Sequence, residues 1–247
     1  MTAEYDPLTE EYFRSKQLPF RVYSEIPDHM DLLGDLKGLR VIDLACGEGF
    51  YTRLIQKARA HYVLGVDVST EMIELARAKE ISDPQGIEYA ACTATNLSQI
   101  VVDKFDLAST AFLFNCAQDR VELAAMFREI ALCLKEGGRL CATVGDLGHR
   151  PGVDYSPYGM KTAIQHDLQE GHPYQITFLL PDGDFTITDF NHSLSTYQEL
   201  CEESGLSFEG WQSCTVTSAG IEKYGEVFWE AWLGSPCIWR FSATKEG

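Results

Sequence analysis

A chain of 247 residues with 45% hydrophobic side chains can bury a substantial core, and a single domain accounts for that length. Its net charge of −17 argues against nucleic acid as a partner, because such binding depends on Lys and Arg neutralising phosphates. No run approaches the roughly 18 apolar residues that span a bilayer, and no basic start with an apolar h-region marks a signal peptide; a soluble, cytoplasmic monomer or homodimer without membrane contact is expected.

Two helical stretches come first. Asp6-Pro7 reads as an N-cap and N1 pair, Glu10 and Glu11 follow in the first turn, and the predicted helix runs to about Gln17, with Pro19 closing it. A second segment, 21–33, carries Pro27, which removes a backbone donor and should kink or restart the helix. Strands are then predicted near 40–45, 62–67, 87–91, 105–112 and 139–145, and helices near 50–58, 70–80 and 119–134. Under the right-handed crossover rule this alternation gives a doubly wound α/β fold, a parallel sheet covered on both faces. Thr70, Glu71 and Glu74 mark the start of the helix at 70–80.

The pattern changes after Val144. Residues 146–172 are rich in Gly, Pro, His and Tyr and read as a lid over the strand ends. The alternating runs Tyr174–Leu180 and Phe185–His192 flank Pro181-Asp182-Gly183-Asp184, a hairpin signal. A helix at 196–204 stops at Gly205, and segments 207–217 and 237–244 supply an antiparallel pair that completes a seven-stranded sheet. Phe228, Trp229 and Trp232 lie on a helix between them. The single domain thus divides into a helical cap (1–36), a core (38–145), a lid and hairpin (146–192) and a C-terminal completion of the sheet (193–247). The eight cysteines include no C-x-x-C pair and mostly fall in apolar runs, as reduced, buried thiols do.

The most informative stretch is Val41-Ile42-Asp43-Leu44-Ala45-Cys46-Gly47-Glu48-Gly49-Phe50, followed by Asp67 in Val63-Leu64-Gly65-Val66-Asp67. An apolar run that stops at a Gly-rich turn and re-emerges as a helix is the first βα unit of such a sheet, where ligands sit beyond the strands' carboxyl ends. Gly47 and Gly49 let the backbone approach a ligand, and the free amides opening the next helix favour an anionic group. Asp67, ending the second strand, can accept two hydrogen bonds from a ribose diol. A dinucleotide fold shares these features, but its third glycine falls at Thr52 here. Asp43, inside the first strand, would repel a pyrophosphate yet accept from an ammonium, directly or through water. A cofactor with an ammonium, a carboxylate and a ribose fits better, and S-adenosyl-L-methionine has all three.

At these residues the chain resembles the class I S-adenosylmethionine-dependent methyltransferases. Asp43-Leu-Ala-Cys-Gly-Glu-Gly49 is similar to the family's nucleotide-loop motif, with Ala45 at a position often held by Gly. Asp67 is similar to its ribose acid, and Leu134-Lys-Glu-Gly-Gly-Arg-Leu140 to the turn entering its fifth strand. The likeness covers about residues 38–145. Phe20-Arg21, Leu33-Gly34, Gly49-Phe-Tyr-Thr-Arg53 and Phe228-Trp229 further resemble the toxoflavin synthase-type small-molecule methyltransferases. The resemblance implies a Rossmann-like methyltransferase sheet and transfer of a methyl group to N, O or C of a small heterocyclic or unsaturated metabolite of secondary metabolism.

On that footing Asp43, Ala45, Cys46, Gly47 and Gly49 are expected around the methionyl portion, Asp67 at the ribose, and Val68 and Met72 at the adenine faces. Thr93 and Ala94 stand where the family usually offers an acid to the adenine amino group; Thr93 keeps an acceptor without the charge. Thr110 is expected to pass beneath the sulfonium, and Phe112 to begin the acceptor pocket. Tyr12 and Arg21 would close over the cofactor, Arg21 on its carboxylate, with packing against the sheet as the competing reading. Tyr51, Tyr155, Tyr158 and Trp229 are candidates to line the acceptor pocket, against simple packing or a solvent-facing turn. A base working near neutral pH is most often His, and His149, just after the fifth strand, is the first candidate, His192 the second. No metal is expected, since Ser109, Thr110 and Asn115 occupy the positions a Mg²⁺-assisted site would fill with acids, Asp119 being a weak exception. Two other classes remain open: a cofactor-binding sensor or partner subunit without turnover, and a nicotinamide-dependent oxidoreductase.

Overall fold

A computed structural model describes residues 13–247. The helix predicted from Asp6, and Tyr12 with it, lie outside the described residues save for the helix's last turn. Strand β1 (Arg40–Leu44) and strand β2 (Tyr62–Asp67) are buried along nearly their whole length, as apolar runs inside a parallel sheet must be. With β3 (Glu88–Ala91), β4 (Phe105–Ala111), β5 (Leu134–Gly145), β9 (Leu206–Ser213) and β10 (Ile238–Lys245) they form one seven-stranded sheet in the order β3-β2-β1-β4-β5-β10-β9. β10 runs antiparallel to both neighbours, β5 and β9, so it is the one reversed strand. The order turns back between β1 and β4, and that switch point opens a crevice beyond their carboxyl ends.

Helices α1 (Ile26–Leu33), α2 (Phe50–Lys57) and α3 (Thr70–Ser82) cover one face. Leu33, Ile55, Ile73 and Ala76 pack there on Val41, Val63 and Leu107. The other face carries α4 (Arg120–Cys133) and α5 (Leu194–Glu203), with Phe127, Ile130, Tyr197 and Leu200 against Phe105, Ala142 and Phe241. Local chemistry sets the helix ends. Ser69, not Thr70, caps α3: its extended backbone lets its hydroxyl accept from the Met72 amide. Asp119 caps α4 by accepting from the amides of Val121 and Glu122. The kink expected at Pro27 takes the form of a change in winding, from a π-helical turn over Arg21–Glu25 to an α-helix with proline in its first turn.

The segment predicted as a lid folds back on the strand tips. A second, antiparallel sheet holds β6 (Met160–Thr162), β7 (Pro173–Phe178) and β8 (Phe185–Phe190), and the hairpin joins β7 to β8 as expected. Its inner face packs with α7 (Glu226–Gly234), which follows α6 (Ser218–Tyr224). Two contacts pin the cap to the C-terminal part: Trp232 Nε1 donates to Ser24 Oγ at 3.0 Å, and Arg240 pairs with Asp28 at 3.1 Å. Both lie in the interior, where an unpaired group would be costly.

Candidate functional site

Two cavities meet at the strand tips. The first, of about 400 Å³, is lined by Ala45, Gly47, Asp67, Met72, Ala111, Phe112 and Cys116. The second, of about 450 Å³, lies between the tips and the small sheet, and its walls are apolar except for Arg21 and Asp189. Phe112 belongs to both. Ala45 (φ 55°) and Phe112 (φ 67°) hold the left-handed backbone conformation that side chains other than glycine rarely adopt. These are the residues that directly follow β1 and β4 at the crevice, so strain sits where the chain must turn away from a ligand. It also gives a physical reason why glycine would suit position 45.

The loop after β1 is built around Asp67. Its carboxylate accepts from the Gly47 amide at 2.8 Å and the Ser69 amide at 2.9 Å, tying the β1 turn to the tip of β2. A carboxylate's two oxygens offer about four acceptor sites, the chemistry that a ribose diol calls for. Gly49 (φ 87°) opens α2, and a Cβ there would stand 2.5 Å from the Tyr89 hydroxyl oxygen, so only glycine fits. At Gly47 (φ 54°) a Cβ would point toward the Met72 sulfur across the cavity wall. A backbone cradle, a carboxylate at the second strand tip and an apolar thioether wall fit a nucleoside with an amino-acid tail.

Behind the loop lies a buried polar network. Asp43 accepts from Thr52 Oγ1 at 2.7 Å, and burial raises its pKa to about 7 despite that bond and one from Ser109. His29, on α1, bridges Thr143 Oγ1 at 2.8 Å and Ser109 Oγ at 3.0 Å. Burial lowers its pKa to about 4, so the ring is neutral at physiological pH. Burial likewise lowers Lys16 to about 8, with Arg21 adding to the effect. Arg21 pairs with Glu25 at 2.9 Å inside the protein, and the Tyr51 hydroxyl donates to the same carboxylate. Burial works against the charge on Glu25, yet Arg21, Lys16 and Tyr51 together hold its pKa below the ordinary value.

The structure brings Ala45, Gly47, Asp67, Met72 and Phe112 to the first cavity and sends other expected residues elsewhere. Cys46 turns its thiol into the core beside Gly65, and burial, with Asp67 and Asp43 adding, raises its pKa well above the usual thiol value. Thr110 donates to the Leu44 carbonyl between strands at 3.1 Å, and Ala94 packs into the core. Thr93 bonds Thr95 at 2.9 Å, and Val68 is half-buried beside Asp67. Arg21 reaches the second cavity, where it stacks on Phe20, Phe112 and Phe178.

Tyr155, Tyr158 and Trp229 require correction: they line neither of the two cavities and do not face solvent. The Tyr155 hydroxyl donates to the Ser235 carbonyl at 2.8 Å, that of Tyr158 to the Phe228 carbonyl at 2.7 Å, and Trp229 Nε1 to Gly220 at 3.0 Å. Three polar tips find backbone partners, so the rings form a core between lid and α7. Neither histidine proposed as a base reaches the two cavities. His149 Nδ1 meets Asp146 at 2.8 Å, and His192 engages Glu170 and the Ala117 carbonyl, each at 2.9 Å. His29, Lys16 and Asp189 were missed by sequence reasoning. Asp189 alone left a signal, an acid in step with Phe185 and Ile187 on the inward face of an alternating strand.

Residues 41–138 match the family model described as a methyltransferase domain. Over 94% of this chain and 100% of the other, the fold superposes on an S-adenosylmethionine dependent methyltransferase from Mesorhizobium loti with a TM-score of 0.66 at 23% identity. Residues 41–138 carry a methyltransferase domain, and the fold around it is that of the S-adenosylmethionine-dependent methyltransferases. The N-methyltransferase NodS from Bradyrhizobium japonicum shares the methyltransferase fold, with a TM-score of 0.59 at 15% identity over 94% of this chain and 99% of that one. Among named relatives, the ubiquinone biosynthesis O-methyltransferase of Xanthomonas oryzae is 26% identical over 202 residues, 79% of this chain and 77% of that protein. The human mitochondrial protein of that name is 25% identical over 177 residues, 70% of this chain. The match spans only 43% of the human protein and 44% of the one from Aeromonas salmonicida. S-adenosyl-L-methionine is the cofactor that this domain and its structural neighbours imply. Among the described residues no helix is long and apolar enough to cross a membrane.

Proposed function

We propose that the protein transfers a methyl group from S-adenosylmethionine to N, O or C of a small, planar, unsaturated metabolite held in the second cavity, in the cytoplasm and as part of secondary metabolism. One observation carries this reading: the cradle after β1 and a separate apolar cavity share a single wall residue, Phe112. The named relatives act, by their names, in ubiquinone biosynthesis as O-methyltransferases, which supports a small acceptor. The cofactor brings an electrophilic methyl group already activated on a sulfonium, so little covalent help is needed.

What this chain adds is placement and dryness. Gly47 and Asp67 hold the amino-acid nucleoside from one side, with Asp43 behind the loop facing the ammonium end directly or through water. Phe112, at the junction, aligns the acceptor atom with the methyl carbon, and the apolar walls exclude water. The reading is metal-independent: Ser109, Thr110 and Asn115 stand where a Mg²⁺-assisted site would need acids, and Asp119 is engaged as a helix cap. The likeness to toxoflavin synthase-type enzymes favours a heterocyclic acceptor.

The test is formation of S-adenosylhomocysteine by the purified chain with a panel of small heterocycles and phenols. Turnover with at least one acceptor, abolished by emptying the cradle in Asp67→Ala, is the expected result. Tight binding of the cofactor without turnover on any acceptor would favour a sensor, and tight NADH binding without affinity for S-adenosylmethionine an oxidoreductase.

A further inference from the structure

We infer that Asn115 is a positioning residue: its carboxamide takes the place of a strand neighbour beside the tip of β5 and thereby holds the wall that the two cavities share. The inference rests on the function proposed above, in which the first cavity takes the cofactor, and adds the residue that sets that wall. Strand β4 last pairs with β5 at Ala111 and Thr143, and β5 runs on through Val144 and Gly145 past the end of β4. Alternate residues of β5 turn their N–H and C=O toward β4. The Thr143 carbonyl accepts from the Phe112 amide at 2.8 Å, and Gly145 is the next in step. It is buried, so without a neighbour both its backbone groups would stand unpaired in the interior, which folded chains avoid.

Asn115 serves both groups. Its Nδ2 donates to the Gly145 carbonyl at 2.9 Å, and its Oδ1 accepts from the Gly145 amide at 2.8 Å. A carboxamide carries the donor and acceptor of a peptide group in one plane, and this one is fully buried. What it holds is the segment that leaves the sheet after β4: Ala111, Phe112 and Cys116 line the first cavity, Phe112 and Gly145 the second. On the segment's other flank Leu113, Phe114 and Ala117 lock into the core, Phe114 stacking on Phe127 at 4.3 Å. The left-handed backbone of Phe112 (φ 67°) persists only while its surroundings hold it. The amide bond to Thr143 is one restraint, and Asn115, in the turn that follows, is the other. Without the clamp the strain at Phe112 relaxes, and the wall of the cofactor cavity moves with it.

The full chain is titrated by calorimetry with S-adenosylhomocysteine, a probe without net charge, at pH 8 and pH 5, each variant against wild type at the same pH. The carboxyl of Asn115→Asp keeps an acceptor for the Gly145 amide. Ionised, it sets a negative oxygen against the Gly145 carbonyl; protonated, its O–H donates to that carbonyl as the carboxamide did. Burial favours the protonated form as pH falls. At pH 8 affinity should drop about tenfold in both Asn115→Asp and Asn115→Ala. At pH 5 Asn115→Asp should regain wild-type affinity, and Asn115→Ala should stay weak. A role in stability alone would leave the affinity of the folded variants unchanged. Circular dichroism reports folding; if Asn115→Asp unfolds at pH 8, fold and affinity should return together at pH 5. The inference is overturned if either variant, folded, matches wild type at pH 8, or if Asn115→Asp loses as much affinity at pH 5. Failure of wild type to bind S-adenosylhomocysteine at all would instead strike the cofactor reading, and this inference with it.

Discussion

Replacing Asp43 by asparagine should stabilise the ligand-free protein in a pH-dependent way. Burial raises the Asp43 carboxyl from an ordinary value of 3.8 to about 7. Between those two values the native state binds a proton that the unfolded state has released, so stability contributed by this residue falls as pH rises through the window. Three pKa units at 1.36 kcal/mol each set the full cost of ionising the buried group at about 4 kcal/mol. By pH 5 about 1.5 to 2 kcal/mol of it has already been lost, which leaves about 2 to 3 kcal/mol to lose between pH 5 and pH 8. The carboxamide of Asp43→Asn cannot ionise, and its oxygen can still accept from Thr52, so the variant should escape that loss. Urea unfolding of both proteins at pH 5 and pH 8 measures it: the stability gap in favour of Asp43→Asn should widen by about 2 to 3 kcal/mol. Parallel pH profiles would refute the claim that burial of this carboxylate outweighs the hydrogen bonds it accepts.

Four further outcomes follow from the same geometry. Asp67→Ala removes the acceptor for the Gly47 and Ser69 amides as well as the one facing a ribose; calorimetry should show affinity for S-adenosylmethionine down about tenfold or more, some 1.4 kcal/mol. Gly49→Ala forces a side chain into left-handed backbone against the Tyr89 ring and should cost about 2 kcal/mol or more in denaturant unfolding, whereas Tyr89→Phe, losing a buried hydroxyl without a partner among the described residues, should be neutral or stabilising. Phe112→Ala and Phe112→Gly should both lower kcat/KM by opening the junction between cavities, but the Gly variant should unfold at higher temperature, since it relieves about 1 kcal/mol of left-handed strain. His149→Ala should leave kcat largely intact, because the ring is turned to Asp146; a loss of a hundredfold or more in kcat would restore it as the base.

The cofactor-side elements were legible because their signals are local. A β-branched run, two glycines whose positive φ only they tolerate cheaply, and an acid at the next strand's end all follow from neighbours in the chain. The hairpin at 173–190 was legible for the same reason, through alternation around Pro181-Asp182-Gly183-Asp184. Tyr155 and Tyr158 were misread because a surface-like composition of Gly, Pro and Tyr gives no hint that α7 will cover it, while Trp229, on α7 itself, follows the packing reading that stood beside its pocket assignment. Their hydroxyls and indole nitrogen find carbonyls on the C-terminal helices. The histidines were chosen by position relative to strand ends, which says nothing of which ring nitrogen a partner will occupy.

From order and type of residue alone came the sheet's parallel core, its crossover hand and the place of the nucleotide loop, since backbone geometry and hydrophobic period act over a few residues. The second cavity came only from packing: Arg21, Phe112, Asp189 and Ile238 lie far apart in the chain, and their meeting depends on how the small sheet and the cap close on the strand tips. Charge compensation was decided there too. Whether Arg21 answers a ligand or Glu25, and whether Asp43 is ionised, turns on burial and on which partners lie within a few ångströms, and long-range contacts alone determine both.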